Sequence, residues 1–172
     1  MGVRQEGTME LPIVRTLKRE LEKLQYELSR ELPAKLEEAR AHGDLRENAE
    51  YDAAKNRQGL LHAKVAQTQQ RIRELSVYSL ATLPRDKVSY GSLVTVEDVD
   101  SGEEIAYRIV FPEEVDAAQG HVSIGSPIGQ ALMNKEEGEQ VVVQTPRGRK
   151  TYDIVALTTL HDQPEESLAK PT

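Results

Sequence analysis

The sequence predicts an α+β chain: an N-terminal long antiparallel α-helical coiled-coil hairpin, then a small antiparallel β-sheet domain carrying one short helix. Three observations lead there. Leucines recur at heptad spacing on both sides of Gly43; the heptads stop near Thr82, where Pro84 and Gly91 punctuate; and beyond Gly91 β-branched residues alternate with polar ones.

The first arm is read from Leu17, Leu21, Leu24 and Leu28, which alternate steps of four and three, and from Leu32, Leu36 and Ala39, which continue the stripe after a slip of register. One helix from about Ile13 to Ala41 follows. Pro33 lies inside it, close to the slip, and predicts a kink rather than a helix end. The second arm, from about Leu45 to Val77, repeats the rule at Ala54, Leu61, Val65, Ile72 and Leu75, with Gln58 and Thr68 as polar members of the seam. At about 1.5 Å per residue each arm is about 45 Å long. The short connection makes the arms antiparallel.

Charges support the pairing. A tip near residues 45 and 46 sets Glu20 against Arg71 and Glu27 against Lys64, in positions flanking the seam. Arg57, on the same stripe, then faces Ala34 and is left without a partner.

Composition bounds the rest. The chain has 172 residues, 30% of them charged, and no apolar run of membrane-spanning length, which predicts a soluble protein with one or two modest cores. Met1 to Pro12 carries charge and no hydrophobic segment, so no secretory signal is expected. The absence of cysteine excludes disulfides and thiolate chemistry and fits a cytoplasmic location. The formal charge of −7 is uneven: up to Leu80 there are fourteen basic and thirteen acidic residues, and beyond it eight and sixteen. The acidic second half is a poor general binder of polyanions. Between Ala53 and Arg73 there are five basic residues and no acid, so a nucleic-acid contact would fall on the second arm.

The expected organisation is a flexible extension at 1–10, a coiled coil at 11–80 with an acidic tip at 43–51, a linker at 81–90, a globular domain at 91–160 and a disordered tail at 161–172. In the globular domain strands are read at Ser92–Glu97, Glu104–Val110, His121–Ile124, Gln140–Thr145 and Arg149–Leu157, the first two joined by the Asp100-Ser101-Gly102 turn. Ser126 followed by Pro127 is an N-cap and a proline at the first helical position, opening a helix to about Met133.

Two readings of the tip stay open. Asp44, two residues and then Glu47 at a helix start is close to a capping box, with Gly43 as the residue just past a helix end. Equally, Asp44 and Glu47 share one face, one turn apart, at the end of a rigid rod. Two exposed carboxylates so placed can hold a magnesium ion that keeps most of its waters and takes a phosphate as another ligand.

Capping does not account for the whole local sequence. The stretch Glu38-Ala-Arg-Ala-His-Gly-Asp-Leu-Arg-Glu-Asn-Ala-Glu-Tyr-Asp-Ala-Ala-Lys55 closely resembles the coiled-coil tip of the bacterial transcript cleavage factors of the Gre family, GreA type. Ser126-Pro-Ile-Gly-Gln-Ala-Leu-Met-Asn-Lys-Glu-Glu-Gly138 and Val141-Val-Val-Gln-Thr-Pro146 are similar to the second domain of that family, so the resemblance spans roughly Leu11 to Thr158.

The resemblance implies a transcription elongation factor that binds bacterial RNA polymerase and stimulates the polymerase's own cleavage of backtracked RNA. It implies a globular domain similar in fold to FKBP-type isomerases that docks on the polymerase, and a coiled coil that enters the secondary channel to meet the nascent RNA 3′ end. By matching position, Asp44 and Glu47 would be the catalytic pair, helping to hold a weakly bound Mg2+ shared with the polymerase site and orienting the attacking water. Ser126 and Pro127 match the loop that contacts a coiled coil of the polymerase's largest subunit, and are equally well read as a helix cap. Arg40, Arg46 and Arg57 are candidate RNA contacts, with solvated surface charge as the alternative. Gly43, Asn48 and Tyr51 complete the tip motif, with Tyr51 expected to hold the loop. A monomer without membrane attachment is expected, an accessory factor with no catalysis of its own.

Three competing functions predict different things. A non-cleaving regulator of the same shape carries an altered acidic tip, whereas this motif is intact. A peptidyl-prolyl isomerase needs an aromatic-lined pocket, and the chain has no Trp and a single Phe, Phe111. A structural coiled-coil adaptor predicts that neutralising the tip acids changes nothing.

Overall fold

In a computed structural model of the chain, residues 10–43 and 45–164 are described, without the side chains of residues 42 and 45–47. Residues 1–9 of the N-terminal extension expected at 1–10, and residues 165–172 of the expected tail, lie outside them. The described residues divide into two compact units, Glu10–Tyr78 and residues 79–164.

The first unit is the hairpin. Its first arm runs through α1 (Pro12–Tyr26), a π-helical turn (Glu27–Glu31) and α2 (Leu32–His42). The π-turn explains both irregularities in the sequence. The Leu32 N–H reaches back to the Glu27 carbonyl, five residues away rather than four. The wider turn absorbs one extra residue, and so the buried stripe steps Leu24, Leu28, Leu32, Leu36 in three consecutive fours without leaving the seam. Pro33 follows in the first turn of α2, and the helix continues through it as expected.

The second arm is α3 (Leu45–Leu75), 31 residues and about 45 Å long. Its inward positions alternate threes and fours without a break from Tyr51 through Ala54, Gln58, Leu61, Val65, Thr68 and Ile72 to Leu75. Leu24, Leu32 and Leu61 form the buried centre, with Leu28, Leu36, Ala54 and Val65 packed around them.

The ion pairs across the seam are shifted by one heptad from expectation. Lys64 meets Glu20 at 3.1 Å, rather than Glu27. Glu27 meets Arg57 instead, through Nε and Nη2 at 2.7 Å each. Arg57 is therefore not the unpartnered residue that a level pairing assigned to it. The expectation centred the reversal at residues 45 and 46, whereas α2 ends at His42 and α3 begins at Leu45, which lowers the sum of facing numbers; the π-turn adds one residue to the first arm, and long side chains reaching diagonally across the seam cover the remainder. Arg71 instead bonds Glu74 on its own arm, at 3.3 Å.

The second unit is a five-stranded sheet in the order β3-β2-β1-β5-β4. The strands are β1 (Leu93–Asp98), β2 (Glu104–Val110), β3 (His121–Ser123), β4 (Gln140–Thr145) and β5 (Gly148–Thr158). All neighbours are antiparallel except β3, which runs parallel to β2. The sheet is thus mixed rather than purely antiparallel, because two 3₁₀ turns after β2 carry the chain back before β3. The single helix α4 (Pro127–Leu132) buries Leu132 against Val88, Val96, Ile109, Val141 and Ile154.

The tail expected to be disordered from His161 is ordered through its first residues. The Gln163 amide donates to the Gly91 carbonyl at 2.7 Å, and Arg108 donates to the Gln163 oxygen at 2.8 Å. Its polar composition read as a solvated tail; the polar groups of His161 and Gln163 instead bond the Leu83 and Gly91 carbonyls and the Arg108 side chain.

Candidate functional site at the hairpin tip

Among the described residues of the tip, a glycine marks the reversal. Gly43 takes a left-handed backbone, φ 70° and ψ 22°, which ends α2 and reverses the chain. Helix α3 begins two residues later, at Leu45. Asp44 lies outside the described residues; Arg46 and Glu47 are placed in the first turn of α3 by backbone alone. The hairpin therefore carries position 47 at the end of its long helix, and Asn48 beyond it is exposed.

Behind the tip the two arms are joined by Tyr51. Its hydroxyl accepts a hydrogen bond from the Arg40 guanidinium at 3.3 Å, and the Arg40 Cζ lies 5.5 Å from the ring centroid. Lys55 approaches the ring at 6.0 Å. The Arg40 hydrogen bond, with the charges of Arg40 and Lys55, favours the phenolate and holds the Tyr51 hydroxyl below the usual tyrosine range. The same bond holds the Arg40 pKa above its ordinary value. The expectation that Tyr51 packs at the tip thus acquires a partner that sequence reasoning missed. The place of Tyr51 on the seam was legible, one three-residue step before Ala54, but its pairing with Arg40 was not.

Of the three arginines proposed for RNA, Arg40 is engaged with Tyr51 and Arg57 with Glu27, whose carboxyl is held below its ordinary range first by the Arg57 hydrogen bond. Among the described residues no three His, Asp or Glu side chains gather to hold a metal. Two tip carboxylates alone fall short of the octahedral set that magnesium demands.

In the globular unit, Ser126 is the N-cap of α4. Its Oγ accepts from the Gly129 N–H at 3.1 Å and donates to the Ser123 carbonyl at 2.7 Å, while Pro127 is exposed on the first turn. Sequence reasoning passed over Gly129, where an added Cβ would lie 2.0 Å from the Ser123 carbonyl oxygen. The Ser-Pro-Ile-Gly run is thus folded tightly enough to present Pro127 in a fixed place.

Both units match known families over their length. A transcription elongation factor N-terminal family model covers residues 13–77, and the GreA/GreB transcription elongation factor C-terminal model covers residues 83–159. The chain belongs to the GreA/GreB family of transcription elongation factors. Among its relatives, transcription elongation factor GreA of Desulfovibrio desulfuricans is 46% identical over 144 residues, 84% of this chain and 88% of that protein. Transcription elongation factor GreA of Nitratidesulfovibrio vulgaris is 45% identical over 141 residues, 82% of this chain and 88% of the relative. A crystal structure of the GreA factor homolog 1 protein of Thermus thermophilus aligns with 26% identity and a TM-score of 0.40, over 85% of this chain and 94% of that one.

Proposed function

We infer that this GreA/GreB family chain binds bacterial RNA polymerase and stimulates the polymerase's own magnesium-dependent cleavage of backtracked RNA, which rescues arrested complexes. It acts as an accessory factor: the reaction is the polymerase's, and the chain completes the site. The observation that carries this reading is the hairpin itself. A helix of 31 residues, packed against an equally long arm, begins two residues after the left-handed Gly43 that ends that arm, with position 47 in its first turn. A rod of this kind supports reach into a channel.

In this reading the coiled coil enters the secondary channel, and the tip meets the nascent RNA 3′ end. Asp44 and Glu47 each offer carboxylate oxygens toward a Mg2+ ion whose remaining ligands are water, phosphate and polymerase groups. In two-metal hydrolysis one ion activates the nucleophile and the other stabilises the leaving oxygen. The tip carboxylates also orient the attacking water by accepting its hydrogen bonds. Ser126 holds the loop on which Pro127 is presented to a coiled coil of the polymerase's largest subunit. Arg46 near the tip is a contact for extruded RNA. The chain acts as a monomer in the cytoplasm.

The test is RNA cleavage in a stalled, backtracked elongation complex with magnesium. The parent chain is expected to accelerate release of the 3′ fragment, and Asp44→Asn and Glu47→Gln, which keep capping ability while deleting charge, to lose that effect. Equal stimulation by all three chains, or by none, would remove the acids from the mechanism.

A further inference from the structure

The tip is braced by a contact that spans the two arms. Ala39 is the last buried residue of the first arm among those described. At that level Tyr51, half-buried on α3, is met by the next residue of α2, Arg40. The guanidinium both donates to the Tyr51 hydroxyl at 3.3 Å and lies 5.5 Å from the ring centroid, so it engages the edge and the face of one side chain together. Side chains on a helix lean toward its N-terminus, which for α3 is the tip, and position 47 lies one turn ahead of Tyr51 on the same face. Lys55, one turn behind, approaches the other end of the ring's environment at 6.0 Å.

We propose that Arg40 and Tyr51 form a clamp that fixes the first turn of α3 against the end of α2, making Arg40 a positioning residue for the tip acids rather than a contact for RNA. The inference rests on the cleavage reading above and names what keeps its carboxylates in place. Gly43 supplies the reversal but offers no side chain to restrain it. Two helix ends that meet at a left-handed glycine are held at a fixed angle by a tie that spans both arms. The clamp is that tie, and it acts through geometry, because reacting groups displaced by about 1 Å lose rate steeply.

The clamp and the RNA contact part company under conservative substitution. Arg40→Lys keeps the charge but not the planar fork, and Tyr51→Phe keeps the ring but not the acceptor. In backtracked complexes at saturating factor, each is expected to lower the maximal cleavage rate by about tenfold, with the half-saturating concentration unchanged within about twofold. The double variant should be no slower than the slower single one, since both remove one contact. A second readout needs no polymerase: in protein labelled at tyrosine Cζ, the Tyr51 resonance should titrate below the ordinary tyrosine range and move up in Arg40→Gln. Full activity in Tyr51→Phe, or loss in Arg40→Gln with full activity in Arg40→Lys, would overturn the clamp and leave the cleavage reading standing. If the parent chain itself gives no stimulation, the cleavage reading falls and the clamp's role in it falls too.

Discussion

Leu60 and Leu61 are adjacent on α3 and chemically identical, yet the hairpin uses them in opposite ways. Leu61 is 1% exposed at the centre of the seam, against Leu24 and Leu32, whereas Leu60 is 65% exposed. Truncating Leu61 to alanine removes three buried carbon atoms, at about 0.8 kcal/mol per methylene-sized group. The hole left behind adds to this, because long helices packed along their whole length cannot collapse locally. The expected total for Leu61→Ala is about 3 kcal/mol, within the range for buried leucine truncations. Leu60→Ala deletes a side chain already in water and should stay within about 0.5 kcal/mol of the parent. Because helix dominates the hairpin unit, far-UV circular dichroism during urea unfolding reads the effect directly. For a unit of this size about 3 kcal/mol also moves the midpoint of thermal unfolding down by more than about 10 °C. A loss below about 1 kcal/mol for Leu61→Ala, or similar losses for both variants, would refute the assigned seam and the register built on it.

Three further outcomes test the globular unit. Gly129→Ala drives a methyl group into the Ser123 carbonyl, 2.0 Å away, and should destabilise this unit by roughly 2–3 kcal/mol in chemical denaturation. Ser126→Ala loses the cap of α4 and should cost about 1 kcal/mol, seen as faster hydrogen exchange at the α4 amides while the hairpin amides are unchanged. The buried Asp98 carboxylate is held below the usual range by the Lys150 hydrogen bond at 2.8 Å, and then by the Asp100 N–H. With the folded pKa depressed, its stabilisation is present above the ordinary carboxylate value of about 3.9 and is lost as pH falls through the lower folded value. Asp98→Asn should therefore be less stable than the parent at neutral pH, with the gap closing below about pH 4 in parallel urea titrations.

Much of the hairpin was legible because a heptad stripe of leucine depends on local spacing alone. The arms predicted at Ile13–Ala41 and Leu45–Val77 correspond to observed limits of Pro12–His42 and Leu45–Leu75. The leucine slip near Pro33 was visible too, but not its mechanism; a π-turn leaves the composition untouched and changes only which carbonyl each N–H reaches. The ion pairs were misassigned because counting from a tip at 45 and 46 presumed a reversal later than the one at Gly43, as well as regular helices and level side chains. In the sheet, alternation revealed each strand, with β2 and β4 at their observed limits, yet could not orient β3, whose pairing is set by the path of the chain between strands. At the tip the acids could be read as caps or as ligands, because both roles need oxygen atoms at a helix start. The Arg40 contact with Tyr51 was hidden, since Arg40 precedes the reversal and Tyr51 follows it, and composition does not show which faces meet.

The most direct test of the central claim is the magnesium dependence of transcript cleavage in a backtracked polymerase complex, measured with saturating parent chain and with saturating Asp44→Asn. If the tip carboxylates help to hold the shared ion, the parent reaches half-maximal rate at a magnesium concentration lower by about tenfold or more, and the variant falls back to the profile of polymerase alone. Superimposable magnesium profiles for parent and variant, both faster than polymerase alone, would contradict the account.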